Sequence, residues 1–86
     1  MADILQQVKS VNGITGEYHD EALKVYIDET KAYMIDAGIS EDVLKSDMSA
    51  GAIVRGVTDL WLTGALSDYF YQRVTQLKYK GGDADV

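Results

Sequence analysis

The chain has 86 residues, enough for one domain, and its 47% apolar and 26% charged residues are typical of a globular protein. It contains no cysteine, which excludes disulfides and thiolate metal sites, and its formal net charge of -6 opposes tight binding to nucleic-acid phosphates. No stretch approaches the roughly 18 apolar residues of a membrane span, and the N-terminal residues lack the pattern of a signal peptide. No membrane association is expected.

Two helices are predicted in the first half of the chain. Apolar residues at helical spacing predict a helix over residues 3–11, which Gly13 follows. A longer helix is predicted over residues 20–37, with apolar residues every three or four positions and charged residues on its other face. Asp20 is expected to cap its N-terminus, and Gly38 to end it in a left-handed conformation. The charged face indicates solvent exposure rather than a binding patch.

The second half begins with a short helical turn over residues 41–46, which Ser40 is positioned to cap. A third main helix is predicted over residues 49–63, ending at Gly64. Trp61 is expected to face the core, against apolar residues of the second and third helices. The predicted fold class is therefore all-α: a small antiparallel bundle of about three main helices, followed by a C-terminal tail. The expected core partners of Trp61 are Leu23, Ile27 and Val57.

The predicted organisation is a helical body over residues 1–64, a C-terminal segment over residues 65–80 and a flexible end over residues 81–86. The C-terminal segment contains three of the six tyrosines and the only phenylalanine. Exposed aromatic residues are typical of protein interfaces. This segment is therefore the part of the chain predicted to bind a partner.

Two conformations are open for this segment. Its aromatic and β-branched residues favour an extended strand over residues 73–79, after a helical turn capped by Ser67 and Asp68. An extended segment of this kind can add to the sheet edge of a partner. The alternative is a fourth helix packed on the body, because Phe70, Val74 and Leu77 stand at helical spacing.

A glycine pattern in the third helix invites comparison with a nucleotide site. Residues 51–58 have the glycine spacing of a phosphate-binding loop, but Val57 stands where the motif requires lysine, and the segment is predicted to be helical. The favoured interpretation is that its small residues allow another helix or a neighbouring subunit to approach closely. Arg55 and Asp59 have opposite charges and stand four positions apart on the same helix, so they are predicted to form an ion pair. The resulting candidates for subunit packing are Gly51, Arg55, Gly56 and Asp59.

No constellation of residues predicts catalysis. His19, Asp20 and Glu21 are consecutive, so they cannot direct three ligands at one metal ion, and a helix cap beside an exposed histidine is favoured. With one histidine, no cysteine and no identifiable pair of buried carboxylates, the sequence offers no convincing set of residues for nucleophilic or acid–base chemistry. The chain is predicted not to be an enzyme and to bind no cofactor or metal.

Several stretches of the sequence resemble one family. Residues 13–28 (GITGEYHDEALKVYID) and 32–38 (AYMIDAG) are similar to the opening helices of the small head-tail connector adaptors of long-tailed phages and prophages of Gram-positive bacteria. Residues 56–61 (GVTDLW), 66–70 (LSDYF) and 72–77 (QRVTQL) are similar to the family's closing helix and terminal segment. The resemblance extends over nearly the whole chain, from about Ile4 to Lys78.

The resemblance implies a structural role in the virion neck, with assembly in the host cytoplasm. Family members form a ring, expected to be dodecameric, beneath the portal protein and join the filled head to the stopper or tail-completion protein. DNA would pass through the ring without tight binding, which an acidic chain favours. The candidate portal-binding residues are Ser67, Asp68, Tyr69, Phe70, Tyr71, Arg73, Val74, Gln76 and Leu77, with Arg73 as the expected charged contact.

Two other functions are compatible with the sequence. A small helical regulatory protein could bind one host or phage protein through the C-terminal segment, and it would be monomeric in solution. An acidic mimic of DNA would need carboxylates spaced along one face like phosphates, which the interspersed basic residues disfavour. These basic residues are Lys24, Lys31, Lys45 and Arg55.

Overall fold

A computed structural model describes residues 3–82 of the chain, with side chains described through residue 79. This range contains five helices and no strand, which confirms the all-α class. The residues 83–86 of the predicted flexible end lie outside the described range. The helices are α1 (Ile4–Asn12), α2 (Asp20–Asp36), α3 (Glu41–Lys45), α4 (Asp47–Thr63) and α5 (Asp68–Gly82).

The predicted helix ends are largely confirmed. Gly13 and Gly64 follow α1 and α4 in left-handed conformations, with φ of 67° and 80°, and Gly38 follows α2 with φ of 106°. The N–H of Ile39 then donates to the carbonyl of Met34 at 3.0 Å, which satisfies a carbonyl of the last turn of α2. Ser40 caps α3 as predicted, because its hydroxyl accepts the N–H of Val43 at 3.2 Å.

The predicted cap of α2 by Asp20 is wrong. His19 occupies the cap position without a side-chain cap hydrogen bond, and Asp20 is the first helical residue. The Asp20 carboxylate instead lies 2.8 Å from the ammonium of Lys9, which is buried and also donates to the carbonyl of Gly16. A buried ammonium needs a partner, and Asp20 supplies it. The ion pair therefore ties α1 to the start of α2.

One hydrophobic core involves all five helices. The helix α4 packs against α1, α2, α3 and α5, and it has more buried residues than any of them. Its small residues allow these neighbours to approach from several sides. The buried apolar residues are Val8, Leu23, Ile27, Met34, Ile39, Val43, Ala52, Ile53, Val54, Val57, Phe70, Val74 and Leu77.

The expectation that residues 73–79 run extended is wrong, and the alternative of an additional helix is confirmed. The helix α5 continues to Gly82, two residues into the predicted flexible end. Its apolar face joins the core of the body, and Phe70 is fully buried. A Cβ atom at Gly56 would lie 2.6 Å from the Phe70 ring and 2.7 Å from the methyl group of Thr30. Gly56 therefore provides the space that Phe70 occupies.

Trp61 lies at the edge of the core rather than within it. It is partly buried, and its ring contacts those of His19 and Tyr26 edge-on, with centroid distances of 4.9 Å and 6.4 Å. The expectation that Trp61 faces the core is confirmed only at the edge of the core, and the largest fully buried side chain is that of Phe70 in α5. His19, expected to be exposed, is partly buried by the same contact.

Candidate protein-interaction surface

The start of α5 is fixed by a carboxylate of α4. Asp59 is 8% exposed, and its Oδ2 accepts hydrogen bonds from the N–H and the hydroxyl of Ser67 at 3.1 Å and 2.6 Å. The Ser67 hydroxyl oxygen in turn accepts the N–H of Phe70 at 3.2 Å, which confirms Ser67 as a cap. The predicted pair is also present, with Arg55 Nε 3.1 Å from Asp59 Oδ1. Asp59 is nevertheless buried, so this pair is more than a surface contact.

The two arginines of the chain meet on the outer side of α4 and α5. The guanidinium carbon of Arg55 lies 5.0 Å from the centroid of the Tyr69 ring, a distance at which a cation attracts an aromatic face. Arg73 Nη1 donates to the Tyr69 hydroxyl at 3.3 Å. Arg73 Nη2 lies over Gly51, 3.9 Å from where a Cβ atom would stand. We call Gly51, Arg55, Tyr69 and Arg73 the arginine face.

A second aromatic surface lies on the other side of α5. The rings of Tyr33 in α2 and Tyr71 in α5 are 5.5 Å apart, and Tyr33 also contacts Phe70 at 5.8 Å. Tyr33 and Tyr71 are 37% and 41% exposed. With about 3.6 residues per turn, Tyr69 and Tyr71 point to opposite sides of the buried stripe of α5. We call Tyr33 and Tyr71 the tyrosine pair.

The structure separates the candidate portal-binding residues into two groups. Phe70, Val74 and Leu77 are buried in the chain's own core, so the prediction that these three residues bind the portal is corrected. The others remain accessible, wholly or in part, and their binding role stays a prediction. These accessible residues are Ser67, Asp68, Tyr69, Tyr71, Arg73 and Gln76.

The candidates for subunit packing divide in the same way. Gly56 is buried against Phe70 and Thr30, so it serves helix packing within the chain rather than between subunits. Asp59 is engaged by Ser67 and Arg55. Gly51 and the guanidinium of Arg55 remain exposed on the arginine face.

Two features of this surface were not predicted. The approach of Arg55 and Arg73 to one tyrosine depends on how α5 folds back along α4. The two arginines are 18 residues apart, and no sequence pattern at this spacing predicts that they lie close together. The contact of Tyr33 with Tyr71 likewise joins distant parts of the chain. The exposed tyrosines in α5 were the part of the surface that the sequence did indicate.

The described residues were also compared with the geometry of metal and phosphate sites. They contain no group of three or more histidine or acidic residues that could hold a metal ion. Residues 51–58 lie inside α4, so they form no phosphate-binding turn. A groove of about 370 Å³ near the start of α4 has mixed lining, including Ile4, Leu44 and Lys31. Within residues 3–82, none of the helices is long and apolar enough to cross a bilayer.

Comparisons with protein-family models, with curated proteins and with solved structures found no match for this chain.

Proposed function

We propose that this chain is a structural adaptor of the head-tail connector type, which assembles as a ring beneath a phage portal and joins the filled head to the stopper or tail-completion protein. In this proposal the chain is an antiparallel bundle with α1, α2 and α4 as its three main helices, against which α5 packs. The ring is dodecameric, belongs to the virion neck and forms in the host cytoplasm. The sequence resemblance to connector adaptors is the origin of the proposal.

The observation that carries the proposal is the conformation of α5. The segment that resembles the terminal part of connector adaptors is a helix with its inner face in the core and tyrosines on its outer sides. Tyr71 is 41% exposed and is held against Tyr33, which limits the entropy that a partner must remove on binding. Large aromatic residues on a rigid element are typical of the residues that dominate interface energies. We assign the tyrosine pair to the contact with the portal.

The charge of the chain is also suited to a conduit. A lumen with net negative charge repels the phosphate backbone and does not retain DNA by counterion release. The chain carries 14 acidic and 8 basic residues. Both arginines lie on one face, so the rest of the surface is more acidic than this total indicates.

The proposal is tested by electron microscopy of the purified chain mixed with the portal protein of the same phage. The expected result is a collar of this chain on one end of the portal ring. A chain that stays monomeric and never binds the portal would contradict the proposal and would favour a regulatory protein.

Matched substitutions test the tyrosine pair. Tyr71→Ala should weaken portal binding by at least about tenfold, which corresponds to roughly 1.4 kcal/mol. Tyr18→Ala is the control, because Tyr18 is 91% exposed, lies before α2 and has an aromatic contact only with the adjacent His19 among the described residues. Equal binding by both variants would remove the tyrosine pair from the portal contact.

A further inference from the structure

Both arginines of this acidic chain are brought to one exposed face, where Arg55 lies over the ring of Tyr69 and Arg73 donates to its hydroxyl. We propose that the arginine face binds carboxylate groups on a second copy of this chain, in a head-to-tail contact. This inference rests on the proposed function, because it assigns the contact between neighbouring subunits of the proposed ring.

The guanidinium groups have unused donors. Each carries about five N–H donors in a rigid fork that matches a carboxylate. Among the described residues, Arg55 donates only through Nε, to Asp59, and Arg73 only through Nη1, to Tyr69. The outer nitrogens of Arg55 and most donors of Arg73 therefore remain for a ligand. Tyr69 holds both groups in place, so little side-chain entropy is lost on binding.

The charge of the chain favours a second copy as the partner. The net charge is -6, and exposed carboxylates occur on α2, on α3 and at the start of α4. The described ion pairs are Lys9–Asp20 and Arg55–Asp59, so these exposed carboxylates are unpaired in that part of the chain. They include Glu21, Asp28, Glu29, Asp36, Glu41, Asp42 and Asp47.

Symmetry restricts the kind of contact. In a two-fold symmetric dimer a patch that lies on the axis meets itself, which would place the arginines of both copies against one another. Like charges in an interface are unfavourable, so the arginine face is not expected on such an axis. A contact between the arginine face of one copy and an acidic surface of the next uses two different patches. Repeated contacts of this kind produce a ring if they close.

The test compares charge reversals on and away from the arginine face. Arg73→Glu is the first variant, because Arg73 forms no ion pair within the described residues and its loss leaves Asp59 engaged. The double variant Arg55→Glu/Arg73→Glu removes both positive charges of the arginine face. Lys24→Glu/Lys45→Glu is the control with the same change in net charge, at two exposed lysines on other helices. Arg73→Lys keeps the positive charge but loses the planar guanidinium group that can donate two parallel hydrogen bonds to a carboxylate.

Sedimentation velocity at increasing protein concentration measures self-association, and circular dichroism verifies that each variant is folded. Self-association of the wild type should weaken as salt is raised. Arg73→Glu should weaken it at least about tenfold and Arg73→Lys by less, whereas the lysine control should associate like the wild type. A wild type that is monomeric at every concentration, or an Arg73→Glu variant that assembles normally, would overturn the inference.

A mixing experiment tests the head-to-tail geometry. The Arg55→Glu/Arg73→Glu variant retains its acidic surface, so it should bind one wild-type copy and end the assembly there. A small fraction of it should therefore shorten wild-type assemblies, and the lysine control should be incorporated without this effect. Failure to shorten them would contradict the geometry. A variant that loses self-association while the wild type still binds no portal would support this inference and contradict the proposed function.

Discussion

Gly56 is the residue on which the docking of α5 depends most directly. A methyl group there would lie 2.6 Å from the Phe70 ring and 2.7 Å from the methyl group of Thr30, both fully buried. Alanine would gain roughly 1 kcal/mol in helix propensity, but the packing has no space for it. We expect Gly56→Ala to lower the free energy of unfolding by about 1–3 kcal/mol, measured by urea denaturation.

Gly51 provides the control in the same helix. The nearest atom to a Cβ there is Arg73 Nη2 at 3.9 Å, an ordinary contact, and Gly51 is exposed. Gly51→Ala should therefore leave stability unchanged or raise it by up to about 1 kcal/mol. If both variants have the same stability, the proposed packing of Phe70 against Gly56 is wrong.

Asp59 is the second decisive residue, because its carboxylate holds the first turn of α5. It accepts two hydrogen bonds from Ser67 and one from Arg55. Asp59→Asn removes the charge and leaves one acceptor for these donors, and we expect a loss of about 1–3 kcal/mol in urea denaturation. Asp68→Asn, at an exposed carboxylate in the first turn of α5, should cost only about 0.3–1 kcal/mol. An equal cost would show that Asp59 acts only through the helix dipole.

At the scale of the elements, α5 is an integral part of the fold. It contributes Phe70, Val74 and Leu77 to the core, and each of these side chains is buried. Phe70→Ala should cost roughly 3–5 kcal/mol, a large part of the stability of about 4–13 kcal/mol expected for a chain of this length. Trp61→Ala should cost less, because Trp61 is only partly buried. Thermal or urea unfolding of the two variants measures both losses of stability. A larger loss for Trp61→Ala than for Phe70→Ala would show that Trp61 is the central core residue.

Removal of α5 gives a stronger test at the same scale. A chain that ends at Ala65 would expose the residues of α2 and α4 that contact Phe70, so we expect it to lose cooperative unfolding and to aggregate. Circular dichroism and calorimetry measure this. A truncated chain that still unfolds cooperatively would support the sequence-based expectation of a separate body and tail.

The helices differ in how well the sequence predicted them. The ends of α1, α2 and α4 were anticipated within two residues, because glycines in left-handed conformations mark them. The aromatic and β-branched residues of α5 are better suited to a strand, and their propensity favoured an extended segment. Packing overrode it, since Phe70, Val74 and Leu77 are buried on one face of the helix and Phe70 occupies the space that Gly56 leaves. That space exists only in the folded chain.

The candidate surface was predictable only where its residues are close in sequence. The Arg55–Asp59 pair and the Ser67 cap follow from spacings of four and three residues. The convergence of Arg73 and Arg55 on Tyr69 depends on the docking of α5, which the sequence left open. Sequence reasoning therefore found most of the residues of the surface but not their arrangement.

At the scale of the whole molecule, the distribution of charge predicts indifference to DNA. The net charge is -6, and Arg55, one of the two arginines that could contact phosphate, is paired with Asp59. Neither the chain nor its assemblies should bind double-stranded DNA at physiological salt, because few counterions would be released. Fluorescence anisotropy with a labelled duplex measures this at two salt concentrations. A variant with lysine in place of Glu21, Asp28, Glu29 and Asp36 is the positive control, since it adds a basic surface on α2 and should bind in a salt-sensitive manner. Tight binding by the wild type that weakens steeply with salt would contradict a passive conduit, and it would indicate that the arginine face contacts DNA instead of a second copy.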